Sequence, residues 1–188
     1  MYRYENPVRD VIGMALNKDL LQAIESGDLE LVKKSKVRDF DSVDEEEKTY
    51  LHHACACNKG SAEIVDYLIQ KGADMNAKDN SGKTALMRAS MDGRAEAIDK
   101  LIEFGADVNA KDNSGKTALI RASIDGRKEA IDKLIEFGAD VNVKDNKGKT
   151  ALDIAKGGGH TKLVMKIQEF IIARELDKGP PPDYEIYV

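Results

Sequence analysis

The chain has no tryptophan, only two cysteines, and no proline between Pro7 and Pro180. Aromatic residues make up 5% of its 188 residues, against 34% charged and 41% hydrophobic, which suits a modest core under a well-charged surface. A basic excess is also missing. The net charge of −5 disfavours nonspecific nucleic-acid binding, which needs clustered positive charge against phosphate, and no nucleic-acid partner is expected. No run reaches the roughly 18 apolar residues of a membrane span, so no membrane partner is expected either. The stretch MYRYENPVRD lacks the apolar segment of a signal peptide, which points to a cytoplasmic chain. Cys55 and Cys57 lie two positions apart, point to different sides of a helix and should not bridge, as suits a reducing compartment. No nucleophile–base arrangement stands out. Gly157-Gly158-Gly159 lacks the Lys-Ser/Thr that follows a phosphate loop. A noncatalytic protein without a cofactor is the expectation.

What the chain does have is repetition. Asn80 to Asp112 and Asn113 to Asp145 are the same 33-residue sentence, differing only at Met87/Ile120, Met91/Ile124, Ala95/Lys128 and Ala110/Val143. A period of about 20 to 50 residues marks stacked units, each too small to bury its own apolar face. Within a unit, Asp79-Asn80-Ser81-Gly82 is a turn signal and Thr84 fits a helix N-cap. Ala85, Leu86, Ala89 and Ser90 give a first helix with a small-residue face. Asp92-Gly93 ends it, and Ala97, Ile98, Leu101 and Ile102 form the inner face of a second helix that stops at Gly105.

The flanks are less regular. Asn6-Pro7 reads as a helix start, with Val8, Val11, Ile12, Ala15 and Leu16 on one face. Ser26-Gly27-Asp28 separates the stretch around Leu20 to Ile24 from that of Leu29 to Val32. Asp39 to Glu47 reads as a solvated acidic loop, or as a small acidic docking patch. Thr49 to Asp79 is a degenerate copy with two residues inserted near Asn58-Lys59-Gly60-Ser61. After Asn146 the repeat gives way to a long helix from Thr161 to about Asp177, whose Leu163, Ile167, Phe170 and Ile171 leave the pattern of the repeat's second helix. The expected divisions are an N-terminal capping region 1–43, repeats 44–79, 80–112 and 113–145, a closing unit 146–178, and a Pro-rich extended tail 179–188.

The T-x-L-x-x-A run, the D-G or G-H turn and the L-I-x-x-G-A-D-x-N ending resemble the ankyrin repeat. The resemblance implies an all-α solenoid of about five stacked helix-turn-helix units including terminal caps, acting in protein–protein interaction. Some family positions are changed. Tyr50, Ala85, Ala118 and Ala151 replace the usual proline. The usual histidine survives only as His52, with Met87, Ile120 and Asp153 elsewhere, which should remove its hydrogen bond. Glu47 stands where Gly82 and Gly115 stand, so the first turn should be distorted.

In the family, turn tips and first helices line a concave face that contacts partners. The resemblance therefore implies a contact surface made of Asn80, Ser81, Lys83, Arg88, Met91 and Asp92, repeated as Asn113, Ser114, Lys116, Arg121, Ile124 and Asp125. Another protein is the expected partner, and a monomer the expected state. Asn76, Asn109 and Asn142 resemble asparagines hydroxylated in some ankyrin proteins, although a turn-stabilising role is preferred. Three further features carry alternatives. His52, His53, Cys55 and Cys57 crowd one stretch, but their spacing does not converge on one metal ion and structural roles are preferred over zinc. Phe104 and Phe137 form a ladder that should pack under the following turn, a reading preferred over a second apolar site. The tail Asp183 to Val188 could serve as a docking peptide, with the repeats as its scaffold.

Overall fold

The computed structural model describes residues 16–57 and 61–176. The expected helix start at Asn6-Pro7, the insertion at 58–60 and the tail 179–188 lie outside the described residues.

Ten helices form five antiparallel pairs among the described residues. The first helices of the pairs are α1 (Lys18–Ser26), α3 (Tyr50–Ala56), α5 (Ala85–Asp92), α7 (Ala118–Ile124) and α9 (Ala151–Gly157). The second helices are α2 (Leu29–Lys34), α4 (Ser61–Gln70), α6 (Ala95–Glu103), α8 (Lys128–Glu136) and α10 (Thr161–Leu176). First helices stack on first helices, and α2, α4, α6 and α8 form a parallel outer row. The all-helical solenoid expected from the repeat is the observed architecture, and no strand occurs among the described residues.

Local chemistry explains each helix. In α5 the Thr84 hydroxyl accepts the Met87 amide, and Gly93 ends the helix at φ 72°. Ala85, Ala89 and Ser90 are buried where α5 meets its neighbours, and the Ser90 hydroxyl returns to the Leu86 carbonyl at 2.7 Å. Small side chains there let the helix layers close on one another. The apolar residues of the second helices, Ala97, Ile98 and Leu101 in α6 and Ala130, Ile131 and Leu134 in α8, are all fully buried. One continuous core runs from Leu16 to Ile167.

Between the pairs, the chain projects four matching turns, here called fingers. In each, an aspartate amide donates to the carbonyl four residues on: Asp44 to Lys48, Asp79 to Lys83, Asp112 to Lys116 and Asp145 to Lys149, at 2.9–3.0 Å. Asp39 to Glu47 is therefore not a plain loop. It is the first finger, and its Phe40 is buried edge-on against Tyr50. Tyr50, which takes the place of the family's proline, fills the junction with α1, and its hydroxyl accepts the Asn17 amide.

The first finger is also not distorted. Glu47 adopts φ 60°, the conformation that Gly82 and Gly115 adopt, and its amide reaches the Asp44 carbonyl at 3.0 Å. A side chain in this left-handed region costs about 1 kcal/mol. Replacing Glu47 with glycine is therefore expected to stabilise the protein slightly, by no more than about 0.5 kcal/mol, after allowing for glycine's extra unfolded-state entropy. Urea denaturation checks this. A lowered midpoint would show that the Glu47 side chain makes a contact worth more than the strain.

The closing helix departs from the sequence reading as well. Leu163 and Ile167 are buried at the positions of Ala130 and Leu134 one unit earlier. Lys166 pairs with Asp132 at 2.6 Å, just as Lys133 pairs with Asp99 at 3.0 Å. The helix keeps the register of the repeat through Phe170 and differs from it in continuing two further turns.

Candidate binding face

The fingers are built around their aspartates. Oδ1 of Asp79 accepts the Ser81 and Lys83 amides, each at 2.9 Å, and the Ser81 hydroxyl at 2.7 Å. Asp112 accepts the Ser114 and Lys116 amides at 2.7 and 3.0 Å, Asp145 those of Lys147 and Lys149, and Asp44 those of Glu46 and Lys48. Asp79, Asp112 and Asp145 are buried. Burial alone would raise the Asp79 carboxyl. The Ser81 hydroxyl, the Lys83 and Ser81 amides and the Lys83 charge outweigh it and hold the group below the ordinary carboxylate range. The Lys149 amide does most to lower Asp145, helped by the Lys147 amide and the Lys116 ammonium. Asp44 is lowered in the same manner: bonds from Lys48, Glu46 and His53 overcome desolvation.

The histidine position is used in three ways. His52 accepts the Thr49 amide at Nδ1, 3.1 Å away, so Nε2 carries the proton and donates to the Lys83 carbonyl at 2.9 Å. Burial pushes the His52 pKa down, which suits this neutral tautomer. Asp153 restores the capping contact with its carboxylate, accepting the Thr150 amide at 3.0 Å and hydroxyl at 2.8 Å. Met87 and Ile120 make no such bond and fill the core instead. The expected loss of the histidine bond thus applies to two of the four units.

Of the residues considered for zinc, His53 bonds Asp44 at 2.9 Å, Cys55 is buried, and the Cys57 thiol donates to the His53 carbonyl at 3.2 Å. Burial pushes the Cys55 thiol up, away from the thiolate that a metal needs. No group of three or more His, Cys, Asp or Glu side chains converges among the described residues.

The twelve positions of the expected contact surface divide into two sets. Six are tied up within the stack. Arg121 donates from Nε to Asp112 Oδ2 at 2.7 Å and pairs with the same oxygen through Nη2. Arg88 stands 4.0 Å from Asp79, and Lys116 3.5 Å from Asp145 of the next finger. The Lys83 ammonium and the Ser81 hydroxyl bond each other at 2.6 Å. Asn113 donates from Nδ2 to the Asn80 carbonyl at 3.1 Å. The other six, Asn80, Met91, Asp92, Ser114, Ile124 and Asp125, have side chains without a hydrogen bond or ion pair among the described residues. Ile124 is 40% exposed, and Asn80, Ser114 and Asp125 are exposed, while Met91 and Asp92 are half-buried.

One further set of contacts was not singled out from the sequence. Arg127 Nε donates to the Met91 carbonyl at 2.9 Å, and His160 Nε2 lies 3.2 Å from the Ile124 carbonyl. These residues are 33 apart, so each straps its unit to the end of the preceding first helix. The periodicity could have found them. Asn76 and Asn109 accept the Asp107 and Asp140 amides of the next unit at 2.9 and 2.8 Å through their side chains. That gives them the turn-stabilising role preferred above. Phe104 and Phe137, expected under the turns, are instead 39% and 37% exposed.

A family model described as ankyrin repeats (3 copies) matches residues 20–112 and again 92–169. The chain belongs to the ankyrin-repeat family. Ankyrin repeats generally mediate protein–protein interaction. Among the described residues of this ankyrin protein, no helix is long and apolar enough to cross a membrane.

Proposed function

We propose that this ankyrin-repeat protein is a noncatalytic adaptor that binds another protein along the fingers and first helices. The contact surface is the ladder of Asn80, Ser81, Lys83, Arg88, Met91 and Asp92 with Asn113, Ser114, Lys116, Arg121, Ile124 and Asp125. The observation that carries this reading is the subset whose side chains make no bond within the stack, of which Asn80, Ser114, Ile124 and Asp125 are exposed and Met91 and Asp92 half-buried. Ile124 and Met91 supply apolar contact, and Asn80, Ser114, Asp92 and Asp125 supply polar contact beside it. Arg88 and Arg121 hold the buried aspartates and shape the surface. The proposal extends to the cytoplasm, a reducing setting in which Cys55 and Cys57 stay free.

The test is affinity capture followed by mass spectrometry, repeated with Met91→Asp/Ile124→Asp. Met91 is half-buried and Ile124 is 40% exposed, so the variant should melt somewhat below the wild type, and its circular dichroism at the capture temperature must match that of the folded wild type. A captured partner is expected to fall at least tenfold in yield, equivalent to about 1.4 kcal/mol. Undiminished capture of every partner would overturn the assignment. Arg121→Glu is a poorer probe, because it sets a carboxylate against buried Asp112.

A further inference from the structure

The outer helix row carries its own ladder. Phe104, Phe137 and Phe170 recur at the repeat spacing, each following a glutamate: Glu103, Glu136 and Glu169. The helices that bear them are in register, because Lys133 pairs back to Asp99 and Lys166 back to Asp132. Phe104 and Phe137 are more than one-third exposed, while the residues around them on the inner face, Leu101 and Leu134, are fully buried. Charge near the two rings is acidic. Glu96, Asp99 and Glu103 face Lys100 alone in α6, and α8 sets Glu129, Asp132 and Glu136 against Lys128 and Lys133. Both of these central lysines are already paired, Lys100 with Glu103 and Lys133 with Asp99.

The ends of this row show what the rings attract. Arg174 places its guanidinium 6.0 Å from the Phe170 ring centroid, one helical turn on from that residue. At the other end, where Lys71 replaces the phenylalanine, its ammonium lies 5.4 Å from the Tyr67 ring. Cations over aromatic faces are favourable. Phe104 and Phe137 have no such cation among the described residues, because α6 and α8 stop at Glu103 and Glu136 while α10 runs on.

We propose that Phe104 and Phe137, flanked by Glu103 and Glu136, form a second docking surface for a basic amphipathic helix of another protein, separate from the finger face. Spacing supports a helix laid along the stack. Packed neighbouring helices lie about 8–10 Å apart, and seven residues of a helix rise about 10.5 Å. An arginine at every seventh residue would therefore reach one ring after the next, with Glu136, unpaired among the described residues, neutralising one and Glu103 exchanging its bond to Lys100 for another.

The probe is a synthetic helical peptide of about three heptads with arginine at every seventh position. Its controls are a peptide of the same composition with the arginines out of register and one with glutamate in their place. Binding to the full chain is read by fluorescence anisotropy. The in-register peptide is expected to bind at least tenfold tighter than either control. Phe104→Ser/Phe137→Ser should abolish that preference in a chain whose circular dichroism at the binding temperature still shows the folded helical state, since the partly covered rings also contribute to stability. The Met91→Asp/Ile124→Asp protein should retain it, which separates this surface from the finger face. Equal binding of in-register and out-of-register peptides overturns the proposal, as does a preference that survives loss of both phenylalanines. Self-association that Phe104→Ser/Phe137→Ser abolishes would assign the ladder to a second copy of the chain and overturn it also.

Discussion

Asp112→Ala is expected to destabilise the protein by about 3 kcal/mol, measured by urea denaturation followed by circular dichroism. The carboxylate is buried, accepts the Ser114 and Lys116 amides, and is paired with Arg121. Its loss leaves the guanidinium without its counter-charge and the finger without its brace. Asp112→Asn keeps an acceptor for the amides and should cost less. A loss under about 1 kcal/mol for the alanine variant would mean that water replaces these contacts at little cost. The same chemistry sets a direction for pH. Asp44, Asp79 and Asp145 are held below the ordinary carboxylate range in the folded protein. A group whose folded pKa is depressed contributes stability that is complete above its unfolded value. That stability is lost as pH falls through about 4 and on toward the folded value. The wild type should therefore unfold progressively more readily with acid in that window.

The second large effect separates two glycines that share one backbone conformation. Gly115 and Gly148 both have φ 73°. A Cβ on Gly115 would meet the Asn146 side chain at 2.3 Å and its backbone nitrogen at 2.9 Å, whereas nothing lies within 4 Å of one on Gly148. Gly148→Ala should thus cost only the left-handed strain, about 1 kcal/mol. Gly115→Ala adds a collision with the next finger and should cost about 3 kcal/mol. The difference measures how closely the fingers are stacked, since the strain is common to both. Equal losses in thermal or urea melts would show that the fingers part easily.

The repeat made much of this legible. The 33-residue period implied the stacking, Thr84 and Gly93 marked the ends of α5, and the small face of Ala85, Ala89 and Ser90 implied close helix approach. What escaped was chemistry achieved by a different residue in the same place. Glu47 adopts the glycine conformation because the Asp44 bonds around it fix the turn, so a missing glycine did not mean a missing turn. Asp153 caps as His52 does, because a carboxylate and an imidazole both accept an amide. On the candidate face, residue type and spacing located Arg88 and Arg121. They did not reveal that the buried aspartates nine residues earlier engage them, since that depends on how the finger folds over the helix. Exposure of Phe104 and Phe137 was hidden for a related reason. A phenylalanine at a helix end reads as core unless the height of the following turn is known.

The fingers also give the stack a direction. The amides of Asn80, Asn113 and Asn146 each donate to a carbonyl of the finger before, on Glu46, Ser81 and Ser114. Asp107 and Asp140 do likewise toward Asn76 and Asn109. Each unit therefore reads the one behind it and leaves a matching set of acceptors for the one ahead. A fresh copy of the 33-residue segment inserted in register would meet the same partners on both sides that its template has. Lengthening by whole units is thus nearly free of new design, which makes two almost identical copies side by side a natural product of this architecture.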